Sequence, residues 1–163
     1  METPITRKKM SMVRDLFLFC CFTGLAFIDL YNLKEENIKE FFDEGEWIVI
    51  HRQKTGTEAN IKLLDYPKQI MEKYRGLCED GRVFPVPNYQ SCMDSLKRLG
   101  KRCGITKPLS WQYASHSKIF YLLNISELST LKNVTANDLE TSYILFLSQL
   151  CNIQRTLYLR VQR

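Results

Sequence analysis

Histidine is scarce in this sequence, with His51 and His116 the only two, and neither stands beside a cysteine. The six cysteines (Cys20, Cys21, Cys78, Cys92, Cys103 and Cys151) are scattered without a CxxC pair. A metal site needs clustered thiolates or imidazoles, so no metal and no cofactor is expected. Nothing in the cysteine spacing asks for disulfides, and a reducing cytoplasm is the expected compartment. Seven glycines and five prolines in 163 residues exclude a collagenous or low-complexity chain. A long apolar run is missing too. The longest, Leu16–Ile28, has 13 residues between Arg14-Asp15 and Asp29, whereas a spanning helix needs about 20. Lys8, Lys9 and Arg14 precede this run, but Asp15 interrupts the pattern and no small-residue cleavage site follows. A buried core helix is therefore expected, rather than a signal peptide or a membrane span.

What is present suits one globular domain. Hydrophobic residues make up 45% of the chain and charged residues 25%, enough for a sizeable core. The net charge of +5 suits an anionic partner such as nucleic acid.

Residues 1–11 are polar and basic and read as an arm or linker remnant before a domain over 12–163. An apolar helix is expected over 12–23, broken at Thr23-Gly24, and a short helix from Ala26 to Leu33. In 45–64 the period changes: Trp47 and Val49, then Ile61 and Leu63, alternate as in a half-buried hairpin, with Gly56 available for a left-handed turn. Asp65-Tyr66-Pro67 opens a helix that places Ile70 and Tyr74 on one face and ends at Gly76. GRVFPVP, residues 81–87, offers a short strand and a turn. Asn88 caps the next helix, where Cys92, Leu96, Leu99 and Cys103 form an apolar stripe closed by Gly104. Lys97, Arg98, Lys101 and Arg102 crowd its outer face, as either a solvated surface or a phosphate-contacting one. Ser110 caps a helix from Trp111 to about Leu123. Asn137 with Glu140 resembles a capping box before a further apolar run, and a last helix spans Asn152 to Val161. The order predicts a mainly helical α+β domain with a small antiparallel sheet.

Three blocks carry a family resemblance. VRDLFLFCCFTGLAFIDLYNLKEENI, residues 13–38, resembles the first box of tyrosine recombinases, where a TGLR core with a following acidic residue succeeds an apolar helix. WIVIHRQKTGTEANIKLL, residues 47–64, is similar to the family's RQKTG hairpin. VFPVPNYQSCMDSLKRLGKRCGITKPLSWQYASHS, residues 83–117, resembles the stretch ending in the family's HxxR box, notably in integrases of Bacteroides-type mobile elements. Residues 118–163 match poorly. The family's usual N-terminal DNA-binding domains have no counterpart in this chain.

The resemblance implies strand cleavage by a tyrosine, site-specific recombination through a 3′-phosphotyrosyl intermediate, double-stranded DNA as partner and other protomers assembled on it. The transition state at phosphorus carries extra negative charge, which two arginines and a histidine normally stabilise. A hairpin lysine protonates the leaving oxygen. Carried over residue by residue, the lysine is Lys54 and the histidine after the HxxR arginine is His116. The nucleophile falls best on Tyr158, with Tyr143 second. The first arginine is replaced by Ala26, the HxxR histidine by Gln112 and its arginine by Ser115. Losing such a charge clamp costs about two to five decades of rate. Asp29 stands at the family's acidic position.

Each retained residue also has a plainer reading. Lys54 is equally an exposed turn lysine, His116 a core histidine and Tyr158 a core tyrosine. The two expectations are thus a recombinase domain with impaired or absent cleavage, and a catalytically dead DNA- or protein-binding remnant. In both, Arg52, Lys54, Lys62, Lys97, Arg98, Lys101 and Arg102 are the expected phosphate contacts.

Overall fold

The computed structural model describes residues 4–41, 45–102 and 109–115. His116, Tyr143, Tyr158, Cys103, Cys151, Gly104, the Asn137–Glu140 pair and the poorly matching tail lie outside the described residues.

Helix α1 runs Pro4–Thr23, eight residues earlier than the expected start at 12. No breaker stands between Pro4 and Gly24, and proline at a helix start forfeits only an N–H that has no helical partner there. The basic segment read as an arm is therefore helical from residue 4, anchored by buried Met10 and by the Lys9 ammonium against the Ser91 hydroxyl. The second half is apolar nearly all round: Val13, Leu16, Phe19 and Cys20 have no exposed surface. Gly24, at φ 71°, turns the chain out of the helix, and the Thr23 hydroxyl donates to the Phe19 carbonyl at 2.7 Å.

Helix α2 is short, Phe27–Tyr31, and is followed by a single 3-10 turn over Glu35–Asn37. Strands β1 (Ile38–Glu40), β2 (Glu46–His51) and β3 (Glu58–Lys62) form an antiparallel sheet in the order β1-β2-β3. Strand β1 was not expected, because three residues with two charges show no period. The hairpin was expected, but its inward face differs. Ile48 pairs with Ile61, and Ile48, Ile50, Ile61 and Leu63 are the buried set. Trp47 pairs with Lys62 on the opposite face, its ring 5.7 Å from the lysine Nζ and 5.7 Å from the Phe41 ring. Successive strand residues face opposite sides, so Trp47 and Val49 cannot share a face with Ile61 in this register.

Helix α3, Asp65–Tyr74, begins where Asp-Tyr-Pro predicts and buries Pro67, Ile70, Met71 and Tyr74. Its link to α1 is polar as well as apolar. The Asp15 carboxylate, 4% exposed, accepts from Arg14 at 2.7 Å, from Lys73 at 2.5 Å and from the Tyr74 hydroxyl at 2.8 Å. A carboxylate this deep is retained because each oxygen has donors.

No strand forms over residues 81–87; Arg82 makes one antiparallel bridge with Lys34. Pro85 and Pro87 lack the N–H a ladder requires. Around Pro85 the Val86 N–H turns back to the Phe84 carbonyl at 2.9 Å. Phe84 itself is fully buried, edge-on to Phe19 with ring centroids 4.8 Å apart. Helix α4, Tyr89–Arg102, starts at the expected cap, where the Ser91 N–H donates to the Asn88 side-chain oxygen at 2.9 Å. Cys92 and Leu96 are fully buried and Leu99 partly so. The next described segment is helical over 111–115, with Ser110 accepting the Tyr113 N–H at its hydroxyl (3.4 Å) and the Ala114 N–H at its carbonyl (3.3 Å). The result is a mainly helical α+β fold with a small three-stranded sheet among the described residues, as the sequence predicts.

Candidate functional site

Helix α2 is the junction on which the candidate residues converge. Ala26 is its N-terminal boundary residue, half-buried, with extended backbone at φ −72° and ψ 158°. Its methyl group offers phosphate neither a hydrogen bond nor a charge. Two residues of the following turn then reach the other two family segments.

The first is Asp29, 5% exposed, whose carboxylate accepts a hydrogen bond from the Gln53 backbone N–H at 3.0 Å. Gln53 precedes Lys54 in the β2–β3 turn. That turn is closed by the Arg52 N–H on the Thr57 carbonyl (2.8 Å) and the Gly56 N–H on the Arg52 carbonyl (2.7 Å). Gly56 has φ 65°, a left-handed conformation that side-chain-bearing residues adopt at a penalty. Lys54 is therefore an exposed ammonium on a short turn fastened at its base to α2.

The second is Phe27, whose ring lies 4.9 Å from Trp111 and 5.1 Å from Tyr89, by centroids. Trp111 is 3% exposed and also meets Phe17 at 5.9 Å. It fixes the helical turn carrying Gln112 and Ser115. Gln112 is exposed, and the half-buried Ser115 donates its hydroxyl hydrogen to the Gln112 carbonyl at 3.0 Å. Three segments distant in sequence, holding Ala26, Lys54 and Gln112 with Ser115, thus meet about one short helix.

The remaining predicted cations are placed differently. Arg52 is half-buried at the root of the turn, and Lys62 is exposed on β3 against Trp47. Lys97, Arg98, Lys101 and Arg102 are exposed on α4. Helix α4 meets α2 at its first residue, Tyr89, so these four lie about 12 to 20 Å further along its axis at 1.5 Å per residue.

Below the site, burial pushes the Cys20 thiol well up from its ordinary value, with the Cys21 and Asp29 charges adding to the effect. Burial likewise raises Cys92 to about 11. Both are neutral core thiols near neutral pH. Among the described residues, no group of three or more His, Cys, Asp or Glu side chains is placed to hold a metal ion, and no helix is long and apolar enough to cross a membrane.

Sequence reasoning missed how Asp29 and Asp15 act. Asp29 was legible at the family's acidic position, but its acceptor role toward a backbone N–H 24 residues away was not. Asp15 carried one signal, a charge set against an apolar run.

Comparison with known proteins bears on the fold. No protein-family model matches the chain. No curated protein matches it either. Among solved structures, a crystal structure of XerA recombinase is similar, with a TM-score of 0.52 and 14% sequence identity. The match covers 99% of this chain and 65% of that one, so this chain spans less than two thirds of the recombinase's length. At this identity the likeness shows the fold, which is tyrosine-recombinase-like.

Proposed function

We propose that this chain is a DNA-engaging domain of the tyrosine recombinase type whose strand-cleavage chemistry is impaired. The observation that carries the reading is the convergence on α2 of the Lys54 turn, through Asp29, and of the Gln112–Ser115 turn, through Trp111. A fold like that of XerA recombinase supports it. The block over residues 83–117 supports kinship with integrases of Bacteroides-type mobile elements, and cysteines scattered without a CxxC pair suit a cytoplasmic setting.

In this reading Lys54 protonates the leaving 5′-oxygen, Tyr158 attacks the scissile phosphate and His116 assists at the nonbridging oxygens. Arg52 and Lys62 contact flanking phosphates, and the α4 cations lie further along the duplex. Ala26, Gln112 and Ser115 supply no positive charge to the transition state. A guanidinium offers both a charge and a fork of donors, whereas serine offers one neutral donor. Ground-state DNA binding survives such losses better than catalysis, because phosphate contacts elsewhere are retained.

A nicked duplex that traps the covalent intermediate tests the reading. The expected result is salt-sensitive duplex binding with a small yield of adduct, abolished by Tyr158→Phe. Binding without any adduct favours a dead DNA-binding module, and no binding at low salt overturns both.

A further inference from the structure

Helix α2 carries the candidate site but is too short to hold itself in place. Its five residues fall well below the length of about 12–15 at which an isolated helix is even marginally stable, so contacts from outside set its position. Two of these, Asp29 to the Gln53 N–H and Phe27 to Trp111, tie it to the Lys54 turn and to the Gln112–Ser115 turn. A third lies at its C-terminal end, where the ring of Tyr31 meets Arg82.

Residues 81–83 strap the exit of α2. The Glu35 N–H donates to the Gly81 carbonyl at 3.0 Å and the Val83 N–H to the Leu33 carbonyl at 2.9 Å, which sets Arg82 opposite Lys34 in an antiparallel bridge. The strap delivers the Arg82 guanidinium to the Tyr31 ring, with Cζ 5.0 Å from the centroid. Exposed Asp80 accepts from its Nε at 2.6 Å. Its Nη1, by contrast, is buried and has no hydrogen-bond partner. A buried N–H without an acceptor is costly, and the electron-rich face of an aromatic ring beside a guanidinium offsets part of that cost. The contact is continuous with the site. The Tyr31 ring lies 6.3 Å from that of Phe27, which in turn reaches Trp111 at 4.9 Å.

We infer that Arg82, acting through the ring of Tyr31, is a positioning residue that holds α2 where the Lys54 turn and the Gln112–Ser115 turn meet. The inference rests on the proposed function for what the site does, and adds the residue that fixes the site from the C-terminal end of α2. Tyr31 is 37% exposed and the Arg82 side chain 26%, so their contact steadies α2 without forming part of the core. An exposed cation–π contact is worth a factor of about two to five in an equilibrium. Without it α2 opens locally more often, and the Gln53 N–H then spends more time away from the Asp29 carboxylate.

The experiment is native-state amide exchange of the full chain, read at Gln53, with Ile48 and Ile61 of the paired strands as references. Arg82→Gln and Tyr31→Leu should each speed exchange at Gln53 by about two- to fivefold and leave the references unchanged. Arg82→Lys keeps a cation over the ring and Tyr31→Phe keeps the ring, so both should retain near-wild-type exchange. The double variant Arg82→Gln/Tyr31→Leu should go no further than either single one, since both remove the same contact. Asp80→Asn should change little, because the guanidinium stays over the ring. On a nicked duplex, Arg82→Gln should slow covalent trapping by a similar factor at unchanged duplex affinity. Unchanged exchange at Gln53 in Arg82→Gln, or an equal acceleration in Asp80→Asn, overturns the inference. A fall in duplex affinity for Arg82→Gln but not for Tyr31→Leu also overturns it, making Arg82 a phosphate contact instead. Absence of duplex binding by the wild type overturns the proposed function alone, because amide exchange needs no DNA.

Discussion

The Asp29 carboxylate and the Gln53 backbone N–H, 3.0 Å apart, join α2 to the turn that presents Lys54. Both partners are protein groups, and the acceptor is charged and buried, which places this bond among the stronger class of single hydrogen bonds. It also fixes one segment of the candidate site relative to another without using the residue at position 26.

The first prediction tests that fastening. Asp29→Ala should leave the Gln53 N–H without its acceptor and destabilise the fold by about 1–3 kcal/mol. Amide exchange at Gln53 should accelerate selectively, while Ile48 and Ile61 in the paired strands keep their protection. Asp29→Asn, which retains an acceptor oxygen, should restore part of the protection. Unchanged exchange at Gln53 in Asp29→Ala contradicts the contact.

The second concerns alkaline pH. Burial, then the Asp15 charge and the hydrogen bond to it, push the Tyr74 hydroxyl well above its ordinary value. A group whose folded pKa is raised contributes stability that is complete below its unfolded value, about 10 for tyrosine, and is lost as pH rises through the folded value. Urea unfolding between neutral pH and strongly alkaline pH should therefore show a decline beginning near pH 10. Tyr74→Phe, less stable at neutral pH, should show a smaller decline. Parallel pH curves for the two proteins contradict this assignment.

Much of this fold was legible in the sequence, but the reasons differ by element. Helix α4 announced itself by the Asn88 cap and the stripe through Cys92 and Leu96, because those signals are local and periodic. The hairpin was legible from Gly56 and alternating residues, yet its inward parity was not. Trp47 and Ile48 are both apolar, and only the pairing of Ile48 with Ile61 decides which faces the core. Strand β1 left no signature because its three residues owe their conformation to β2. The basic start of α1 looked solvated because its packing partners, Ser91 and Arg102, lie more than 80 residues away. At the site, the identities at positions 26, 54, 112 and 115 were legible through the family resemblance, while their assembly about α2 depends on Asp29 and on the rings of Phe27 and Trp111.

A third prediction concerns Gly100, buried within α4. A Cβ there would meet the Leu109 side chain at 3.4 and 3.5 Å, ordinary contact with a flexible neighbour. Glycine in a helix interior is less favourable than alanine by about 1 kcal/mol. Gly100→Ala should stabilise the protein by about 0.5–1 kcal/mol in chemical denaturation. A loss of stability would show that the Leu109 contact cannot yield.

Thiol chemistry gives a fourth. Cys78 is partly exposed, whereas Cys20, Cys21 and Cys92 are buried; burial raises the Cys78 thiol as it does those of Cys20 and Cys92, so access sets the order of reaction. Brief alkylation of the native protein near pH 8, read by peptide mass spectrometry, should label Cys78 well ahead of those three. Urea should remove the difference. Early labelling of Cys92 contradicts the packing of α4.

The most direct test of the impaired-recombinase account is covalent trapping on a nicked duplex by the wild type and by Ser115→Arg, with equal duplex binding verified for both. The account predicts that restoring a guanidinium raises the trapping rate by about two decades or more, and that Tyr158→Phe abolishes the gain. Equal trapping by the two proteins, or a gain that survives Tyr158→Phe, contradicts it.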